Sequence, residues 1–163
     1  MNNQIEQVDQ LTQEAVKEVF QSMLSMEVNP EPPSPLAPDP DGQIIGSVGF
    51  IGEATGIIYL YASMGFARVI TCRMLGIDEA ELDSGEMVTD AIGELSNMVV
   101  GYVKSRLCNG GLPCILTIPS VVRGQELSIE GSAHLNRRMI GFRNCKYHLL
   151  AEVMLKNSIA NES

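Results

Sequence analysis

The sequence predicts an α+β fold: a mainly antiparallel sheet, made of a hairpin and three C-terminal strands, packed by an N-terminal helix and a long helix that carries a motif. Three observations predict it. Apolar residues recur at helical spacing near the amino terminus and again between Val88 and Val103. Short β-rich runs with glycine turns lie between Gln43 and Tyr61. Further β-rich runs fill the segment from Cys114 to Met154. The chain has 163 residues, 45% of them hydrophobic, a length for one domain, residues 1–163, with a sizeable core.

The first element, residues 4–26, reads as an amphipathic helix, because Ile5, Val8, Leu11, Ala15, Val19 and Met23 recur every three or four positions among Gln and Glu. Residues 29–42 hold six of the eight prolines. Proline removes an N–H donor and blocks helix, so this stretch predicts an extended surface connection, and nothing in it fixes a register for a Pro-binding partner. Residues 43–155 form the predicted core. Ile44–Ile51 and Gly56–Tyr61 make a hairpin around Gly52-Glu53-Ala54-Thr55. Its glycines match neither phosphate-loop pattern and fall inside and between strands, as turn and bulge residues do. Met64–Leu75 predicts a helix closing near Gly76. A longer helix starts around Ser84-Gly85-Glu86 and runs to about Leu107, stopped by Asn109-Gly110-Gly111. Three strands are then expected: Cys114–Val122, Glu126–Asn136 and Cys145–Met154. Arg123-Gly124-Gln125 would turn between the first two, Arg137–Asn144 would connect the last two, and residues 156–163 would form a frayed tail.

Composition narrows the function classes. Eleven Lys+Arg against 20 Asp+Glu leave a net charge of −9, which disfavours nucleic acid and anionic membrane as partners. No apolar run approaches the ~18–20 residues of a membrane-spanning helix. Met1-Asn2-Asn3-Gln4 has no basic start followed by an apolar stretch, so a cytoplasmic location is expected. Cys72, Cys108, Cys114 and Cys145 are spaced by 36, 6 and 31, with only His134 and His148 to join them. That spacing disfavours zinc and predicts reduced, buried thiols.

The informative stretch is Asp90 to Lys104. At about 100° per residue, Val88, Ile92, Leu95, Val99, Tyr102 and Val103 gather on one side as a core-facing stripe. Asp90, Glu94, Asn97, Gly101 and Lys104 line the opposite side, and Glu94 and Asn97, three apart, are neighbours there. A solvated face is the ordinary explanation of such a ridge. Asn inside a helix costs a few tenths of a kcal/mol and Gly about 1 kcal/mol. Residues of that kind at Asn97 and Gly101 also suit a face that a partner's backbone approaches closely.

Asp90-x3-Glu94-x2-Asn97, followed after 21 residues by Pro119, resembles the signature of the bacterial chemotaxis phosphatases of the CheC/CheX family. The flanking words Ala91-Ile92-Gly93-Glu94-Leu95-Ser96-Asn97-Met98 and Thr117-Ile118-Pro119-Ser120-Val121-Val122-Arg123-Gly124 resemble family blocks, and the element order fits a CheC-like fold. The resemblance implies hydrolysis of the aspartyl phosphate on a CheY-like response-regulator receiver. Glu94 would grip a receiver lysine, and Asn97 would enter the receiver's site and orient a water for in-line attack. Asp90 and Gly101 would support the ridge, and Pro119 would shape a strand edge or turn. No metal or other cofactor of its own is implied; Mg²⁺ would sit on the receiver.

The resemblance to the family also favours its CheX type. CheC-type chains usually carry two Glu-x-x-Asn helices, whereas this chain has one: its first helix reads Glu14-Ala15-Val16-Lys17, with lysine at the Asn position. The CheX type implies a homodimer, possible through exposed sheet edges. Two other readings compete. One is a non-catalytic module of the same fold that binds a receiver or a flagellar-switch component; Asn97 disfavours it. The other is a small-molecule sensor built on the hairpin, for which no convergent polar pocket is visible in the sequence.

Overall fold

A computed structural model describes residues 3–83, 85–131 and 134–157 of the protein. Strands β2 (Gln43–Gly52) and β3 (Gly56–Ser63) form the expected hairpin, and α2 (Met64–Leu75) follows without a break. Ser63 caps α2 by accepting the Phe66 N–H, and Gly76 ends it at φ 65°, a left-handed conformation that favours glycine. The long helix α3 spans Glu86–Asn109. Around them run α1 (Asn3–Leu24), β1 (Asn29–Glu31), β4 (Cys114–Leu116), β5 (Ser120–Gly124), β6 (Leu135–Asn144) and β7 (Tyr147–Lys156). Among the described residues, seven strands make one antiparallel sheet in the order β1-β6-β7-β3-β2-β4, with β5 also paired to β2.

The sheet is covered on both faces. The main core gathers α1, α2 and α3 over residues such as Ile44, Ile58 and Ala151. On the reverse face Ile45, Tyr61 and Leu150 are packed by Leu36, Tyr59, Leu127 and Ile129. Adjacent Ile44 and Ile45 therefore bury on opposite sides, as successive strand residues must, and β2 reads as a nearly continuous apolar run.

Several expectations need correction. In α1 the buried face is Ile5, Val8, Thr12, Ala15, Val16, Val19, Phe20 and Leu24, while Met23 is 47% exposed. Burial follows the bulky Phe20 and Leu24 rather than the longer four-residue steps to Met23. The Pro-rich stretch is more than a connection. Asn29–Glu31 adds an edge strand to β6, a place where proline's missing donor does no harm. Leu36 then packs on the reverse sheet face, and Asp39 accepts the Gly65 N–H at 2.9 Å near the start of α2.

The expected strand Cys114–Val122 is two short strands, β4 and β5. Phe50 faces Leu116 and Ser47 faces Ser120, so Thr117, Ile118 and Pro119 stand opposite only Val48 and Gly49. One extra residue on an edge strand is a β-bulge, and Pro119, unable to donate to a ladder, sits where a bulge tolerates it. The expected strand Glu126–Asn136 is mostly irregular. Its alternating Leu127 and Ile129 lie against the reverse sheet face without joining the ladder, because alternation reports one-sided burial and not strand pairing. The expected connection Arg137–Asn144 is instead most of β6, whose arginines hide a strand buried only at Ile140, Gly141 and Phe142. It turns through Cys145, at φ 47°, into β7. Cys145 is consequently exposed, and only Cys114 is fully buried among the four free thiols. Burial pushes the Cys114 thiol pKa above its ordinary value, which disfavours the reactive thiolate. Apart from residues 156 and 157, the expected tail lies outside the described residues, as does Ser84 at the expected start of α3.

Among the described residues, one charged group is enclosed. Glu152 is 2% exposed. Its carboxylate accepts Arg137 Nη2 at 2.8 Å and the Tyr61 hydroxyl at 3.2 Å. Arg137 also donates to the Ile129 carbonyl at 2.9 Å, so it fastens the 125–131 segment over the sheet. Removing it strands a buried carboxylate, a loss of several kcal/mol when both partners are enclosed. Because the Arg137 side chain is 40% exposed, water compensates in part. Arg137→Met is expected to lower unfolding free energy by about 2 kcal/mol in urea titrations, and Arg137→Met with Glu152→Leu to recover much of it.

Candidate functional site

Helix α3 places the site. Its sequence buries more than a stripe: Val88, Ala91, Ile92, Gly93, Leu95, Ser96, Val99, Val100, Val103 and Leu107 are all enclosed. Ser96 is satisfied within the helix, its hydroxyl donating to the Ile92 carbonyl at 2.7 Å. Tyr102, expected in the core-facing stripe, is only half-buried. Its hydroxyl accepts from Arg106 Nη2 at 3.0 Å, and the guanidinium lies 4.6 Å from the ring centroid.

One strip of the helix outside the core forms a polar ridge. Asp90 and Glu94 are exposed, and Asn97, Gly101 and Lys104 are half-buried on the same face. Glu94 and Asn97 project side by side one turn apart, as i, i+3 residues of a helix do. Among the described residues, neither the Glu94 carboxylate nor the Asn97 carboxamide has a hydrogen-bond or ion-pair partner. Two polar groups are thus presented to solvent on a backbone held by a buried face. Glu94 offers acceptors only, while Asn97 offers an acceptor and two donors, and both are free for a partner.

The other sequence-derived residues fall into two groups. Asp90 shares the ridge, one turn before Glu94. Gly101 and Pro119 take part in packing. A side chain at Gly101 would meet Leu116 Cδ1 at 4.0 Å, an ordinary contact, so the chain's own β4 occupies one flank of that glycine. A side chain at Gly93 would meet Val121 Cγ2 at 3.5 Å and Pro119 Cβ at 3.9 Å. Pro119 therefore braces the bulge against α3, one turn below Asn97. At the start of the helix the Arg123 guanidinium covers Gly85 so closely that a side chain there would collide with it.

A cleft of about 500 Å³ lies elsewhere, between α1 and Tyr102, and is lined by Glu14, Lys17, Glu18, Gln21, Glu27 and Val28. An accessible pair of polar side chains on a helix face, outside that cleft, suits contact with another protein better than enclosure of a small molecule. The sequence pattern did not single out Ile118, which is 85% exposed in the bulge. Read as part of one long strand, it had no reason to differ from its neighbours, and only the bulge signal of Pro119 could have marked it.

Comparison with known proteins places this arrangement among relatives. The family model described as "Chemotaxis phosphatase CheX" matches residues 44–143. The "CheY-P phosphatase CheX" of Thermotoga maritima is 30% identical over 118 residues, covering 71% of this chain and 75% of that one. The crystal structure of the chemotaxis protein CheX from Vibrio vulnificus superposes with a TM-score of 0.76 at 25% identity, over 91% of this chain and 96% of that chain. A chain of the CheX–CheY–BeF3–Mg²⁺ complex from Borrelia burgdorferi superposes with a TM-score of 0.74 at 18% identity, over 91% of this chain and 97% of that chain.

Proposed function

The chain belongs to the chemotaxis phosphatase CheX family, and on that premise we propose that it hydrolyses the aspartyl phosphate of a CheY-type receiver, with Asn97 orienting the attacking water and Glu94 docking on the receiver's lysine. The observation that carries this reading is the pair itself: Glu94 and Asn97 stand adjacent on one face of α3, on a stretch of helix whose neighbours Ala91, Ile92, Gly93, Leu95 and Ser96 are buried.

The chemistry asks little of the protein beyond position. An acyl phosphate is already activated, so its hydrolysis depends on placing a water in line with the scissile P–O bond. The water oxygen bonds to phosphorus, the aspartate carboxylate leaves with the bonding pair, and the water's proton passes to the departing phosphate. The products are inorganic phosphate and free aspartate. The Asn97 carbonyl accepts one water hydrogen and aims a lone pair at phosphorus, without titrating near neutral pH. Glu94 forms a charge-assisted bond with the receiver's ammonium group and holds the ridge in register. Asp90 adds a second negative charge on the same ridge, and Gly101 keeps the next turn low. Mg²⁺ belongs to the receiver and offsets charge on the phosphoryl oxygens. On this reading the protein works in the cytoplasm, where receivers signal, and as a homodimer.

Two measurements test this. Phosphate release from a phosphorylated CheY of the same organism is expected to accelerate at least about 10-fold with the protein present, a modest value for well-placed catalytic groups; release no faster than from CheY alone overturns the assignment. Sedimentation at micromolar concentration is expected to give twice the 17.7 kDa chain mass, and a monomer mass overturns the dimer.

A further inference from the structure

The bulge on the edge of the sheet lies beside the ridge. Leu116 packs by Gly101 and Pro119 by Gly93. These glycines are separated by two helical turns, about 12 Å, and Leu116 to Pro119 spans about 10 Å of extended chain. Asn97 is midway between the two glycines, so Thr117 and Ile118 pass at its level. Thr117 is turned toward β2, where its hydroxyl accepts the Gly49 N–H at 2.8 Å and its own N–H donates to the Gly49 carbonyl at 2.9 Å. Ile118 is left 85% exposed.

We propose that Ile118 is an apolar docking contact for the same receiver, flanking Asn97 in the interface and setting affinity. This rests on the reading of the ridge given above. If Asn97 reaches a water beside the phosphoryl group, the receiver's surface must come down over this turn of α3, and Ile118 is at the same level. The contact is continuous with the ridge and held in place beforehand. Two hydrogen bonds clamp Thr117, and the proline ring limits the backbone after Ile118, so little freedom is lost on binding. A bulge is a common device for re-aiming a side chain next to a functional site. A large apolar side chain left in water by a rigid segment gains by being covered.

The test uses the full chain and CheY of the same organism converted with beryllofluoride and Mg²⁺, a stable mimic of the phosphorylated form. Ile118→Ser is a safe substitution for folding because the side chain touches so little. It is expected to raise the Kd for this complex about 10-fold, the loss seen for an apolar interface anchor. KM for phosphate release should rise with it while kcat moves less than about 2-fold, since uniform binding and not the chemical step is affected. An unchanged Kd and KM, with wild type binding normally, overturns the inference alone. A sedimentation mass altered by Ile118→Ser assigns the residue to contact between copies of this chain and also overturns it. Absence of binding by wild type overturns the proposed function itself, and this inference with it.

Discussion

Asn97→Ala is expected to slow phosphate release from phosphorylated CheY by about 100-fold or more, the effect of removing one preorganised polar group from a reacting centre. The loss should fall on kcat, because the proposed interaction of the carboxamide with the attacking water would be made fully only in the transition state. Folding should be untouched. Asn97 is half-buried, has no partner to strand among the described residues, and alanine is the better helix former by several tenths of a kcal/mol. Asn97→Ala is therefore expected to be as stable as wild type or slightly more so, and its Kd for beryllofluoride-treated CheY should change far less than its rate. Rates equal to wild type would remove Asn97 from the mechanism. Loss of rate through unfolding would show in the circular dichroism melt. Glu94→Ala should separate from it by raising KM more than it lowers kcat, since that side chain is given a docking role.

Gly46→Ala is expected to cause a large loss of stability. Gly46 lies in β2 directly beneath α3, and a side chain there would collide with Ser96 Oγ while lying 2.9 Å from Ile92 Cγ2 and 3.2 Å from the Ile92 carbonyl oxygen. These atoms are the inner side of the turn that carries Glu94 and Asn97 outward. Even one methyl group must push the helix from the sheet, an overpacking cost of about 2–3 kcal/mol. Urea unfolding is expected to show that loss. Ser96→Ala removes the atom in worst conflict, so the double variant Gly46→Ala, Ser96→Ala should recover part of the stability lost by Gly46→Ala alone. No recovery would mean that the conflict lies with Ile92 or the backbone. Because the ridge moves with the helix, Gly46→Ala is also expected to slow phosphate release in the fraction that remains folded, as displacements near 1 Å commonly do.

Elements whose signals are local were legible from the residues alone. Helix α2 ends at Gly76 where the glycine permits a left-handed residue. The β2–β3 hairpin turns within Gly52-Glu53-Ala54-Thr55, and the helical period of α3 alone puts Glu94 and Asn97 on one outward face. Such features depend on residues within a few positions of one another, so they survive without knowledge of the rest of the chain. Features that depend on distant partners came from the packing of the folded chain. Leu127 and Ile129 alternate like a strand but meet Tyr61 and Leu150 as a cover. Arg137 and Arg138 read as loop yet pair with Met154 and Val153 across β7. The bulge that exposes Ile118 arises from the difference of one residue between two pairings with β2, Phe50 with Leu116 and Ser47 with Ser120. A register is a relation between segments about seventy positions apart. The hydrophobic pattern of either segment limits it to one face, and only their packing together selects the offset.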